Sequence, residues 1–116
     1  MRRHKKSLGQ NFLTDKNIIK KIVNLVNIKN KNIIEIGPGK GALTDEILKK
    51  NPKTVSLIEN YNSLSQHLKN KYSKYKFLTI HNNDILKFDL EKIILRNTII
   101  FGNLPYNISS QILVKV

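Results

Sequence analysis

Residues 33–43, Ile33-Ile34-Glu35-Ile36-Gly37-Pro38-Gly39-Lys40-Gly41-Ala42-Leu43, pass from a short apolar cluster through three glycines into a helix-forming segment. An apolar run rich in β-branched residues and ended by glycine and proline reads as a buried strand entering a tight turn. Glycine lets such a turn close, and lets a ligand approach the backbone with no side chain in the way. From Ala42 to Lys50 the apolar residues Leu43, Ile47 and Leu48 form one stripe, and Asp45 and Glu46 lie near the start, where a helix dipole favours anions. Asn51-Pro52 ends this helix.

The same alternation continues on both sides of that stretch. Upstream, Thr14-Asp15 can cap a helix whose apolar residues Ile18, Ile19, Ile22, Val23, Leu25 and Val26 recur at helical spacing. Downstream, Thr54 to Glu59 reads as a second strand, Ser63 to Lys71 as a helix and Phe77 to His81 as a third strand. Asn82-Asn83-Asp84 is a polar turn, and Phe88, Leu90, Ile93 and Ile94 mark a short helix. Thr98 to Phe101 forms a fourth strand ending at Gly102-Asn103-Leu104-Pro105-Tyr106, and residues 107–116 are expected to begin the next helix. Strands alternating with helices imply a parallel sheet covered on both faces. Such sheets bind ligands at the carboxyl ends of their strands. Gly37 to Gly41, Glu59, Asp84 and Asn103 to Tyr106 all fall at such ends.

Bulk composition narrows the function classes. A hydrophobic share of 40% suits a folded protein, and 116 residues suit one domain. No apolar run approaches the ~20 residues needed to span a bilayer, so a cytoplasmic or organelle-interior location is expected, without membrane association. With no cysteine, disulfides and thiolate zinc sites are excluded, and His4, His67 and His81 share no metal-ligand spacing. The formal charge of +13 suits a polyanionic partner. Compositional drift explains it equally well, because eighteen lysines stand against three arginines in a chain crowded with Asn and Ile.

Each strand-end residue has a chemical reading and a structural one. Gly37-Pro38-Gly39-Lys40-Gly41-Ala42 satisfies the Gly-x-Gly-x-x-Gly/Ala dinucleotide pattern, with Glu59 where a ribose-binding acid stands, so a nicotinamide cofactor is a competing reading. Glu59 can accept charge-assisted hydrogen bonds from both hydroxyls of a ribose, or be an exposed strand-end charge. Asp84 can accept an exocyclic amine, or simply form an Asx turn. In Asn103-Leu104-Pro105-Tyr106, the Asn side-chain oxygen and a backbone carbonyl fixed by the proline can hold both hydrogens of a planar amine. Tyr106 can stack on the ring, an interaction worth ~1–3 kcal/mol per base. A packed proline turn is the alternative.

With these residues assembled, the chain resembles the ribosomal RNA adenine dimethyltransferases, a family that includes the bacterial small-subunit dimethyladenosine transferases and the macrolide-resistance methyltransferases. The matching stretches are Leu8-Gly9-Gln10-Asn11-Phe12-Leu13, Glu35-Ile36-Gly37-Pro38-Gly39, Ile58-Glu59, Asp84, and Phe101-Gly102-Asn103-Leu104-Pro105-Tyr106-Asn107-Ile108-Ser109. Leu8-Gly9 and Leu104 look more like the small-subunit branch. The resemblance implies a Rossmann-like α/β fold that uses S-adenosylmethionine, with Asn11 and Leu13 covering the cofactor's methionine end and Gly37 and Gly39 against it. It further assigns Glu59 to the ribose, Asp84 to the cofactor's adenine, and Asn103 to both cofactor and target. Asn103, Leu104, Pro105 and Tyr106 would form the catalytic motif. The expected reaction is dimethylation of adenosine amines in small-subunit ribosomal RNA, by a monomer acting on immature ribosomal subunits without a metal. Alternatives are a large-subunit enzyme of the macrolide-resistance type and a non-catalytic RNA-binding assembly factor.

Where family members often have Asp after the ribose-binding Glu, this chain has Asn60. The resemblance also implies that residues 1–116 are the N-terminal part of the catalytic domain, with 1–14 a basic, cofactor-covering arm and 15–116 the βα units. The parallel sheet would then stop after its fourth strand, leaving an unpaired edge, and the family's C-terminal helical RNA-binding domain would be absent.

Overall fold

Asp15 opens the first helix by accepting hydrogen bonds from the backbone N–H groups of Asn17 (2.9 Å) and Ile18 (3.3 Å), satisfying two donors that a helix start otherwise leaves free. The computed structural model describes residues 15–103 and 110–115, with side chains through residue 102. In it, helix α1 (Lys16–Val23) leads to strand β1 (Asn32–Ile36), helix α2 (Ala42–Leu48), strand β2 (Thr54–Ile58), helix α3 (Asn62–Lys71) and strand β3 (Leu78–His81). A single 3-10 turn (Leu90–Lys92) precedes strands β4 (Thr98–Asn103) and β5 (Ser110–Lys115).

The sheet order is β3-β2-β1-β4-β5, and β1 to β4 are mutually parallel, as the alternation of elements predicts. Successive strand residues point to opposite faces. Ile33, Val55, Leu57, Ile99 and Phe101 therefore pack with Ile19, Ile22, Leu43, Ile47 and Leu68 from the three helices. Ile34, Ile58 and Ile100 face the other way and are covered by Ile36, Ile85, Phe88, Leu90, Ile93 and Ile94. Fully burying each large aliphatic side chain is worth about 1.5–3 kcal/mol, so both layers hold the sheet.

Three expectations require correction. Helix α1 ends at Val23, and Leu25, expected on its buried stripe, is 69% exposed while Ile28 takes the interior position. The helix expected over residues 88–94 is only a 3-10 turn. In an α-helix, residues 88 and 90 would point about 200° apart, yet Phe88 and Leu90 both pack on the sheet. Finally, residues 110–115 form a strand antiparallel to β4, from Asn103↔Ser110 to Thr98↔Lys115, where a helix was expected. Gln111-Ile112-Leu113-Val114 has strand-compatible composition, and pairing satisfies the backbone groups along the outer side of β4. The edge expected to be bare is thus covered.

Three turns at the amino ends of the strands use asparagine in the left-handed region: Asn30 (φ 60°), Asn51 (φ 58°) and Asn97 (φ 56°). Asparagine tolerates this conformation better than other side-chain-bearing residues. The turns are joined, since Asn30 N–H donates to the Asn51 carbonyl and Asn32 N–H to that of Asn97, both at 3.0 Å. The Asn32 amide also donates to the Arg96 carbonyl (2.9 Å) and accepts from the Thr54 hydroxyl (2.7 Å). Asn97→Ala is expected to lower stability by about 1 kcal/mol, the cost of a left-handed non-glycine residue, while Asn97→Gly stays near wild type. Urea midpoints at constant slope report the difference, and equal losses in both variants would remove the left-handed turn as the reason for asparagine here.

Candidate functional site

The register of the sheet sets the site. Ile36 pairs with Ile58 of β2 and with Gly102 of β4, and Ile58 pairs with His81 of β3. The residues that follow, Gly37, Glu59, Asn82 and Asn103, therefore lie at one level along the carboxyl edge of the parallel strands. Strand order reverses between β1 and β4, which places Gly37 and the backbone of Asn103 on either side of the switch point where open α/β sheets bind ligands.

The loop after β1 is held against Glu59. Gly37 N–H donates to the Ile58 carbonyl (2.9 Å), and Gly39 N–H donates to Glu59 Oε1 (3.1 Å). The second oxygen, Oε2, accepts from Tyr61 N–H (3.1 Å). The Glu59 backbone is fixed too, its N–H donating to the His81 carbonyl (2.9 Å) and its carbonyl accepting from Asn83 N–H (3.1 Å). Glu59 is only 4% exposed, so the alternative of a solvated strand-end charge is not what the structure holds. A carboxylate has about four acceptor positions, and the two backbone donors occupy one on each oxygen. A Cβ added at Gly39 would meet nothing within 4 Å, so among the described residues the space beside its backbone is open.

Asp84 lies beyond the end of β3, and its Oδ1 accepts from Leu86 N–H (3.0 Å). This is the Asx turn of its structural reading, with Lys87 N–H donating to the Asp84 carbonyl (2.9 Å). Asn11, Leu13, Leu104, Pro105 and Tyr106 lie outside the described residues, as does the side chain of Asn103.

Sequence reasoning did not single out Glu35, the third residue of the opening apolar run. It is 1% exposed, accepts a hydrogen bond from the Thr44 hydroxyl at Oε1, and has no partner for its buried Oε2 among the described residues. Burial pushes its carboxyl up to about 7, the Thr44 hydrogen bond opposes this, and the nearby charges of Asp45 and Glu59 add to it. Its signal was present in the sequence as a lone charge between isoleucines. Tyr72 carried no such signal. It is buried, and its hydroxyl, held protonated by burial and by Asp45, lies 2.6 Å from Asp45 Oδ1.

A family model described as Ribosomal RNA adenine dimethylase matches residues 1–116. Ribosomal RNA small subunit methyltransferase A of Pelagibacter ubique is 49% identical over 111 residues, covering 96% of this chain and 42% of that protein. The protein of the same name from Francisella tularensis subsp. novicida is 53% identical over 116 residues, covering 97% and 44%. Among solved structures, a dimethyladenosine transferase from Plasmodium falciparum is similar with a TM-score of 0.67 at 25% identity, over 87% of this chain and 34% of that one. The chain thus spans less than half the length of these relatives. The expected Rossmann-like methyltransferase fold is the one observed. Among the described residues there is no helix long and apolar enough to cross a membrane.

Glu35 makes stability depend on pH in a defined direction. Its pKa is about 7 in the fold against an ordinary 4.5, so between those values the native chain holds a proton that the unfolded chain has lost. Its stabilising contribution is complete below the lower value and disappears as pH rises through about 7, a loss of at most about 3 kcal/mol. His81, whose pKa is lowered by burial, acts in the opposite sense, so the readout is the difference between wild type and Glu35→Gln. Urea denaturation should show wild type losing more stability than Glu35→Gln on going from acidic to mildly alkaline buffer. Parallel pH profiles would mean that Glu35 titrates alike in the folded and unfolded chain, with no upward shift from burial.

Proposed function

The chain belongs to the ribosomal RNA adenine dimethylase family, and from that premise we propose that it binds S-adenosylmethionine at the carboxyl edge of its sheet and serves dimethylation of adenosine amines in small-subunit ribosomal RNA. The observation that carries this reading is the shared level of Gly37, Glu59 and Asn103 across the switch point. The residues fit such a cofactor. Glu59 retains acceptor capacity for a ribose, and among the described residues the space beside Gly39 is open and Glu35 Oε2, a buried oxygen, has no partner. When bound, the sulfonium supplies an electrophilic methyl group.

The remaining work belongs to the chain. An adenine amine is a poor nucleophile because its lone pair is delocalised into the ring. Asn103, through its side-chain oxygen, and Leu104, through a carbonyl restricted by Pro105, accept the two amine hydrogens and turn the lone pair toward the methyl carbon. Tyr106 stacks on the extruded base, offsetting part of the few kcal/mol that flipping costs. Asn11 and Leu13 cover the methionine end, and Asp84 receives the cofactor's adenine. Held this way by Asn103 and Leu104, the amine would be positioned for the methyl group that the bound cofactor would supply, and its surplus proton would pass to water. Catalysis then rests on position and electrostatics. Immature small ribosomal subunits are the proposed substrate, the protein acts as a monomer in the cytoplasm or an organelle's interior, and no metal takes part.

S-adenosylmethionine at a hundred times its Kd should stabilise the protein by about 2.7 kcal/mol, visible as a raised melting temperature, whereas a nicotinamide dinucleotide should leave it unchanged. A shift with the nicotinamide alone would refute the cofactor assignment. Tritium from the labelled methyl group should enter immature small subunits rather than DNA or protein. Asn103→Ala should cut that transfer about a hundredfold, the typical cost of one positioned catalytic hydrogen bond, with RNA binding retained. Undiminished function in that variant would favour a non-catalytic assembly role.

A further inference from the structure

The C-terminal end of α3 reaches back onto the loop that follows β1. Lys71 Nζ donates to the Lys40 carbonyl (2.9 Å) and to Asp45 Oδ2 (3.1 Å). The hydroxyl of its neighbour Tyr72 lies 2.6 Å from Asp45 Oδ1 and 3.1 Å from the Gly41 carbonyl. Because the hydroxyl has one proton, the shorter, charge-assisted contact takes most of it and the carbonyl shares the remainder. Asp45 N–H also donates to the Gly41 carbonyl (2.8 Å), so the two carbonyls that lead into α2, together with Asp45, are gripped by neighbouring residues of α3's end.

The fit is tight. Gly41 has φ 96°, and a Cβ there would come within 2.1 Å of the Tyr72 hydroxyl. Glycine at 41 is therefore required twice, by the backbone conformation and by the tyrosine seated against it. Tyr72 is 4% exposed, and its ring is fixed by an edge-on contact with Tyr75 at 6.1 Å. Elsewhere the same loop is held through Gly39 N–H by Glu59. The loop is thus held at its donors by Glu59 and at its carbonyls by Lys71 and Tyr72.

We propose that Lys71 and Tyr72 are positioning residues for the proposed cofactor: from behind, they hold residues 39–41 in the geometry that receives it. This rests on the S-adenosylmethionine reading above. Neither residue touches the cofactor, and their effect is on its affinity. A loop already fixed loses less freedom on binding, which is how preorganisation raises affinity.

The test measures the Kd for S-adenosylmethionine by calorimetry for wild type, Tyr72→Phe and Lys71→Met, well below each melting temperature, which is measured separately. Each variant is expected to bind about three- to ten-fold more weakly, the equivalent of one net hydrogen bond. A purely structural role would lower the melting temperature and leave the Kd of the folded protein unchanged, and that result overturns the inference while sparing the cofactor assignment. Wild type that fails to bind S-adenosylmethionine overturns both. If Tyr72→Phe does not fold, Lys71→Met, at a part-exposed side chain, decides alone.

Discussion

The parallel register of β1 between β2 and β4 is the constraint on which the rest of the molecule depends. Because Ile36 pairs with both Ile58 and Gly102, the residues that follow them in the three strands lie at one level. A slip of one residue would turn every side chain to the opposite face, taking Phe101 out of the helical layer and Ile100 out of the other. The two apolar layers therefore enforce the level of the loops. The glycine loop and Glu59 add a local bond to a geometry that packing has already imposed.

Much of this could be read from the chain itself. The strands appear as short apolar runs, and the helices as stripes ended by Asn or Pro. The glycine loop and Glu59 are legible because strand ends in parallel sheets are where ligands bind. What could not be read depends on tertiary pairing. Phe88 and Leu90 looked helical until both were required on one sheet face. Residues 110–115 have no strong periodicity of their own and take their conformation from the edge of β4. Tyr72 acts across a distance of 27 to 31 residues in sequence, and no local pattern marks such a partner.

The abundance of asparagine illustrates how composition and structure share a cause. Asn and Lys recur throughout the chain, yet three of the asparagines occupy left-handed turns and one ties two strands together with its amide. Whatever its source in the composition, local backbone geometry decides where the residue is useful. The lysines divide in the same way, with Lys49 in an exposed pair with Glu46, where ion pairs contribute little, and Lys71 gripping a backbone carbonyl.

Glu35 gives the molecule a thermochemical signature. At mildly acidic pH the collapsing chain must draw a hydrogen ion from its surroundings to neutralise an acid entering the interior, and unfolding returns it. Whatever buffer is present takes part in that exchange. The calorimetric heat of unfolding will therefore vary with the buffer's own heat of ionisation, even at a fixed pH and with the same set of native contacts.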